Sequence, residues 1–288
     1  MNAKKIVPAK NWGQRAIAVV LIAIVALLIY MVATSRHISW STIPQYIFDE
    51  TILDGIRLTI LFTVLSMVIS IVAGAILATM RLSSNPVLLG FSSLYIWFFR
   101  GTPLLVQIIF WFNIQLFIPS IDIGIFQIDT NVIVTAFVAA LLALSLNEAA
   151  YMAEIIRGGL LAVDGGQGEA AKALGYTPAQ AMLRIIFPQA LRVIIPPIGN
   201  QTISMLKTTS LVSVVAAQDL LTRAQNIYAR NFLIIELLIV ASIWYLVMTT
   251  IASCIQYAIE QRLGRSAKQP PAVWKAALRL MRAEGRNG

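Results

Sequence analysis

Residues 56–80 read IRLTILFTVLSMVISIVAGAILATM, a run of 25 positions in which Arg57 is the single charged residue. A transmembrane helix needs roughly 20 apolar residues to cross about 30 Å of hydrocarbon, so this stretch is long enough to span a bilayer. Its apolar residues are continuous and do not alternate with polar ones, which excludes the pattern of a transmembrane β-strand. The stretch predicts an all-α integral membrane protein.

Five further apolar stretches extend this prediction to about six transmembrane helices. They are 16–34, a segment within 88–118, about 131–156, about 191–217 and 233–259. The composition agrees, because 58% of the 288 residues are hydrophobic and 12% are charged, against roughly 45–50% and 25% in soluble domains. The first stretch follows four cations, as a signal peptide does, but it exceeds the usual apolar length and lacks a clear cleavage site. We therefore expect a retained helix.

Charge distribution gives the orientation. With the N-terminus inside, 16 of the 22 lysines and arginines fall in cytoplasmic segments and four in outer segments, while Arg100 and Lys207 lie within spans. The positive-inside rule then places both termini in the cytoplasm and accounts for the net charge of +9 without nucleic acid. A lone Cys254 and a lone His37 exclude a disulfide framework and a cysteine or histidine metal cluster.

The third stretch carries Arg100-Gly101-Thr102-Pro103 in its middle. Pro103 lacks a backbone donor and disfavours helical geometry at Thr102, so we predict a break or kink there.

The longest cytoplasmic connection, about 157–190, contains GGQGEAAKALGYTPAQAMLRIIFP at 165–188. Gly165, Gly166 and Gly168 are expected to make the start of this segment flexible. Residues 169–174 favour a helix, and Gly175 is expected to end it. Thr177 and Gln180 form the pattern of a capping box that restarts a helix, and Pro188 is expected to stop it. Two short helices joined by a glycine elbow follow. From composition, docking on a partner and lying flat on the membrane remain open alternatives.

This loop resembles a known family motif. Glu169-Ala170-Ala171, three residues, Gly175, nine residues and Ile185-x-Phe187-Pro188 resemble the EAA loop of ATP-binding-cassette importer permeases, with phenylalanine in place of leucine at 187. RGTPLLVQ at 100–107, NEAAY at 147–151, AEIIRGG at 153–159, PPIGNQ at 196–201 and KTTSL at 207–211 resemble the polar amino acid subfamily. The resemblance covers roughly 55–262. Thr208 departs from the acidic residue that many relatives carry there.

The resemblance implies a transmembrane permease subunit that moves polar amino acids across the bacterial inner membrane by alternating access, as a multi-pass protein. Which amino acid is carried, and whether opines are carried, remain open. Whether the permease pair is a homodimer or a heterodimer is also open. The implied partners are a pair of ATP-binding subunits, a second copy or a similar permease, a periplasmic substrate-binding protein and the lipid bilayer. Glu169, Ala170, Ala171 and Gly175 would contact the ATPase. The chain has no G-x-x-x-x-G-K-[ST] motif, so we expect no enzyme activity and no bound cofactor, with ATP used by the partner.

Candidate residues of the substrate path lie in the third and fifth spans. They are Arg100, Thr102, Gln107, Asn200, Gln201, Ser204 and Lys207. Ionisable groups within spans are functional hypotheses by default, and a cation beside a helix break suits a substrate carboxylate. The alternatives for Arg100 are snorkelling or pairing with a membrane acid. Irregular backbone after Pro196-Pro197 would line a cavity, and interhelical hydrogen bonding is the alternative there. Glu154 and Arg157, three apart, predict a structural pair.

The predicted organisation has three parts: 1–55 as the N-terminal segment, first helix and outer loop; 56–262 as the permease core with the coupling loop; and 263–288 as a basic cytoplasmic tail. The tail is either an amphipathic helix on the inner leaflet or disordered. A stand-alone secondary transporter or channel is the alternative function. It is less favoured because the sequence has no convincing internal repeat and because the loop would then have no partner.

Overall fold

The computed structural model of the protein describes residues 12–35, 38–122 and 127–263. The predictions for the basic tail after residue 263, for His37 and for the cations before residue 12 therefore lie outside the described residues.

Helices dominate the described chain. Their bounds are α1 Trp12–Ala33, α2 Ile43–Ile47, α3 Glu50–Arg81, α4 Pro86–Gly101, α5 Leu104–Phe112, α6 Thr130–Ile133, α7 Ala136–Leu161, α8 Gly165–Ala173, α9 Pro178–Ala181, α10 Phe187–Thr208, α11 Leu220–Asn231 and α12 Ile234–Arg262. A short antiparallel hairpin, β1 Ser120–Asp122 with β2 Gln127–Asp129, is an addition to the predicted all-α fold.

The number of membrane-spanning helices differs from the prediction. Within the described ranges, four helical segments are long and apolar enough to cross a bilayer: α3, α7, Pro178–Val215 and α12. The bent pair α4–α5 makes a fifth if it is one span. The first stretch is helical as predicted, but its apolar part, Val19–Met31, is shorter than a usual span. The predicted count of six is thus not confirmed.

The break in the third stretch is confirmed. The axes of α4 and α5 meet at 101°, and Thr102, between them, has an extended backbone with φ −106° and ψ 141°. The cause is the one expected, since Pro103 has no N–H to continue the helical ladder and crowds the residue before it.

Small residues bring α3 and α7 into close contact. A Cβ added at Gly74 would lie 2.4 Å from Met152 Cβ, and the Ser70 hydroxyl donates to the Ser145 carbonyl at 2.9 Å. Small residues let helix backbones approach closely where lipid offers no hydrophobic driving force. The α3–α7 pair is therefore closely packed, and α4, α5 and α10 contact α7.

Two predictions about prolines are wrong: Pro188 does not stop the second helix of the loop, and the backbone after Pro196-Pro197 is helical, not irregular. Pro188 lies in the first turn of α10, and Pro196 and Pro197 lie inside it. Proline has a φ compatible with a helix and costs a hydrogen bond, and in membranes neighbouring side chains and π-helical adjustments can compensate. A π-helical turn, Met182–Ile186, precedes Pro188.

Irregular backbone follows instead at the far end of α10. Thr209–Val215 is a 3₁₀-helix, and Ala216 and Gln218 have positive φ of 54° and 63°. Asp219 then caps α11, accepting from the Thr222 amide at 3.0 Å. This segment and α11 lie at the end of α10 opposite the cytoplasmic loop, so they face outward in the predicted orientation.

Candidate functional site: a cytoplasmic elbow and a polar junction on the fourth span

The glycine elbow predicted in the cytoplasmic loop is present. Gly175 has a φ of +80°, a conformation that glycine adopts without a steric penalty. The capping box that follows is complete, because Gln180 N donates to Thr177 Oγ1 at 3.3 Å and Thr177 N donates to Gln180 Oε1 at 3.0 Å. The loop therefore reverses direction between α8 and α9 as the sequence predicts.

The first helix of the loop starts earlier than expected. It begins at Gly165, because Asp164 caps it by accepting from the Gly166 amide at 2.7 Å, so the glycines predicted to loosen the entry lie inside α8. The Gln189 side chain donates to Gln167 Oε1 at 3.2 Å and ties α8 to α10.

The loop offers a free surface around the motif residues. Glu169, Ala170 and Gly175 are exposed, whereas Ala171 is buried. Leu174 is an apolar side chain with 76% of its surface exposed. Small residues beside an uncovered leucine form a surface that another protein can approach closely, and α8 and α9 present it on one side of the elbow.

Two amides stabilise the broken third span. Gln107 Nε2 donates to Thr102 Oγ1 at 2.7 Å and to Phe99 O at 3.1 Å, and Asn147 Nδ2 donates to Phe99 O at 2.7 Å. A helix end in a membrane leaves carbonyl groups that need partners. Thr102 and Gln107, predicted in the substrate path, thus have their side chains engaged in holding the break. The structural contribution of Asn147 was not anticipated.

Arg100 lies at the end of α4, where the break was expected to expose it. Its side chain is exposed, and its Cζ lies 5.2 Å from the centroid of the Tyr151 ring, within range of a cation–π interaction. Among the described residues, no acid pairs with it. Arg100 and Tyr151 line a cavity of about 440 Å³ between α4 and α7.

The predicted Glu154–Arg157 pair is present at 2.9 Å, and Arg81 forms a second ion pair with Glu154 at 3.0 Å. Arg81 and Glu154 line the same cavity as Arg100. One carboxylate therefore faces three guanidinium groups, and the cavity has an excess of positive charge. Sequence reasoning missed Arg81 because its partner is far away in the chain.

The polar residues of α10 fall into two groups. Asn200, Ser204 and Lys207 are exposed, and their spacing places them on one helical face. Gln201 points to α7, where its Nε2 donates to Glu148 Oε1 at 2.9 Å. Gln201 thus makes the interhelical bond that was the alternative reading, and the other three form an uncovered polar stripe.

These contacts converge on one turn of α7. Asn147 bonds α4 at Phe99, Glu148 bonds α10 at Gln201, and Tyr151 contacts Arg100. The sequence segment 147–151 therefore joins the broken span to α10. A small displacement of α10 would act on the same turn that positions the Arg100 cavity.

Comparison with known proteins identifies the family. A family model described as a binding-protein-dependent transport system inner membrane component matches residues 70–265. The chain belongs to this family. The arginine transport system permease protein ArgU of Corynebacterium glutamicum is 43% identical over 90% of this chain and 83% of its own length. The L-cystine transport system permease protein TcyB of Bacillus subtilis (strain 168) is 38% identical over 79% and 92%.

Solved structures agree. An amino acid ABC transporter crystallised with histidines shares 37% identity, covering 74% of this chain and 94% of its own, with a TM-score of 0.65. The MetNI methionine ABC transporter, in an inward-facing conformation, covers 75% and 97% with a TM-score of 0.54 at 19% identity, which shows a common fold. The predicted family and the helical membrane fold are thereby confirmed.

Proposed function

We propose that the chain is the membrane-spanning permease subunit of an ATP-driven importer of polar amino acids in the bacterial inner membrane. The observation that carries this proposal is the uncovered elbow between α8 and α9, with Glu169, Ala170 and Gly175 exposed on it. The printed functions of the relatives, arginine and L-cystine transport, support the amino acid class.

The elbow is connected to the transport path by a continuous helix. Residues Pro178–Val215 form one helical segment of 38 residues, which starts at the elbow and carries the stripe of Asn200, Ser204 and Lys207. A displacement of the elbow would therefore be transmitted to that stripe along one helical segment. Two ATP-binding subunits would supply the force by closing on ATP, and such rigid-body motion is a common way to switch access. ATP is used by those subunits, and this chain binds no cofactor.

Arg100 is the proposed contact for the substrate carboxylate. Its guanidinium forms no ion pair among the described residues, and it lines a cavity in which two arginines, Arg81 and Arg100, face one carboxylate, Glu154. An arginine matches a carboxylate by two parallel hydrogen bonds. The exposed stripe on α10 needs a second permease, a copy or a similar chain, to enclose the path, and a periplasmic binding protein would deliver the substrate.

Affinity capture of the tagged full-length chain from native membranes tests the proposal. We expect ATP-binding subunits among the captured proteins. Glu169→Lys should reduce their recovery, because the charge reverses on the exposed face of the elbow, whereas Glu50→Lys, an exposed residue at the outer end of α3, should not. Capture of a homo-oligomer alone, even after crosslinking, would favour the stand-alone carrier.

A further inference from the structure

A second charged cavity lies at the outer end of the molecule. It has a volume of about 570 Å³ and is formed by the connection between α2 and α3 on one side and α11 on the other. Arg223, Asn226, Ile227 and Arg230 all line it, and their spacing is that of one helical face. The cavity is at the opposite end of α10 from the elbow, and it contains none of the proposed path residues.

Its two arginines outnumber its one acid, Asp49. Neither Arg223 nor Arg230 has an ion pair among the described residues, and Arg223 Nε is buried without a hydrogen-bond partner. By contrast Arg57, another outward-facing arginine, pairs with Asp54 at 2.8 Å. A buried donor without a partner is costly, and the rest of the partly exposed Arg223 side chain lines the cavity, so its guanidinium is available to a ligand that accepts hydrogen bonds.

The position of Arg223 is fixed by close packing. A Cβ added at Gly55 would lie 2.8 Å from Leu220 Cα and 3.1 Å from Arg223 Cγ. Glycine at 55 thus lets α11 lie directly against the first turns of α3, which holds the aliphatic part of Arg223 in place. Less side-chain entropy is then lost when the guanidinium binds a ligand.

Neutral groups complete the lining. Asn231 Nδ2 donates to Tyr46 Oη at 3.0 Å and Asn226 Nδ2 donates to Gln218 Oε1 at 3.3 Å. Each amide nitrogen has a second hydrogen to donate. Asp49 is the acid of the cavity, and its Oδ1 already accepts from the Thr51 amide at 2.8 Å. Donors therefore outnumber acceptors.

We propose that this outer cavity is a carboxylate-binding site, with Arg223 as its anchor and Arg230 at its rim. A planar guanidinium fork matches a carboxylate in two parallel hydrogen bonds, and the cavity volume lies in the range of small-molecule sites. The carboxylate belongs either to a free amino acid on its way to the path or to an acidic side chain of a delivering protein. That both sources are present outside the membrane rests on the proposed function.

Arginine footprinting in lipid nanodiscs tests this site directly. The full-length chain, with the subunits that co-purify, is labelled with phenylglyoxal, and modification of Arg223 and Arg57 is followed by mass spectrometry. If a free amino acid occupies the site, L-arginine or L-glutamine should slow labelling of Arg223 by about 10-fold at ten times the Kd. Agmatine, which is arginine without its carboxylate, should not. Arg57 labelling should stay unchanged in every case.

The second arm uses a co-purifying binding protein in place of free amino acid. Protection of Arg223 by that protein alone, with Arg57 still reactive, assigns the carboxylate to an acidic side chain. Unchanged labelling of Arg223 in both arms overturns the site, and so does equal protection by agmatine or equal protection of Arg57.

A variant pair adds an independent measurement. Because Arg223→Gln lacks the labelled side chain, protection of Arg230 at the rim is followed in this variant. The ligand concentration that half-protects Arg230 should rise by about 10- to 100-fold, as expected for loss of a charge-assisted hydrogen bond, whereas Arg57→Gln should leave it unchanged. Arg223→Lys retains the charge and tests folding if the glutamine variant is unstable. The results separate failure of the proposed importer function from failure of the proposed site. Protection of Arg223 without ATP-driven uptake would refute the importer function and support the site. Normal uptake by Arg223→Gln, together with no protection of Arg223 in the unmodified chain, would refute the site and support the importer function.

Discussion

Replacing Gln107 by leucine should destabilise the protein, because this amide holds the broken third span together. Its Nε2 reaches Thr102 Oγ1 at 2.7 Å, Phe99 O at 3.1 Å and Thr102 O at 3.2 Å. Leucine is similar in size and supplies none of these bonds. Interhelical hydrogen bonds in membranes contribute about 0.6 kcal/mol on average and up to about 1.7 kcal/mol, and a buried carbonyl left without a partner costs roughly 1–3 kcal/mol.

We therefore expect Gln107→Leu to cost about 1–3 kcal/mol, the upper end being reached only if Thr102 O finds no other donor. At roughly 2–4 °C per kcal/mol for a chain of this size, the melting temperature should fall by several degrees. The assay is thermal unfolding in detergent, followed by fluorescence-detected size exclusion. Gln45→Leu is the matched control, since Gln45 is exposed and makes one long contact, of 3.5 Å, with Ser41 O.

Asn147 provides a double-mutant test of the same idea. Its amide shares Phe99 O with Gln107, so either residue alone can satisfy that carbonyl. Removing both should cost more than the sum of the single changes, by about 0.5 kcal/mol or more. An unchanged melting temperature for Gln107→Leu, together with lost uptake, would refute the reasoning and place Gln107 in the substrate path.

Four further changes have defined outcomes. Gly175→Val should uncouple ATP hydrolysis from uptake in reconstituted complexes because valine is strained at φ +80°; asparagine, which tolerates that region, should retain coupling. Arg100→Ala should raise the uptake KM by about 10-fold or more with normal subunit recovery, and unaltered kinetics would remove it from the path. Gly74→Val should cost about 1–3 kcal/mol by overpacking in a thermal melt, whereas Gly90→Val, with open space at its Cβ, should not. Burial raises the pKa of the Asp219 carboxyl, so the folded state binds the carboxyl proton more tightly than the unfolded state does. The stability gained from that proton is therefore lost as the pH rises from the ordinary aspartate pKa through the raised one. Asp219→Asn should reduce this dependence of the melting temperature on pH.

Local features were predictable from the sequence because they depend on neighbouring residues. The break at Pro103, the left-handed Gly175 and the capping box of Thr177 and Gln180 each need only a few adjacent positions, and all three are present. The family resemblance could be recognised for the same reason, because it depends on residue types at fixed spacings from Glu169 onward.

The predictions that failed depend on distant partners. Pro196 and Pro197 lie inside α10 without ending it, and α10 packs against α3, α7 and α12, which are contacts that no local pattern reports. The same limit applies to Arg81, whose contact with Glu154 joins two helices. Propensity rules treat each segment as if it were alone, and tertiary contacts override them.

Transport by purified components tests the central claim most directly. The chain is reconstituted in liposomes with its co-purified ATP-binding subunits and binding protein, and uptake of radiolabelled amino acids is measured with and without ATP. We predict accumulation that requires ATP, the ATP-binding subunits and an intact Glu169. Equal accumulation by the permease chain alone, driven by a proton or sodium gradient, would contradict the account and establish a stand-alone carrier.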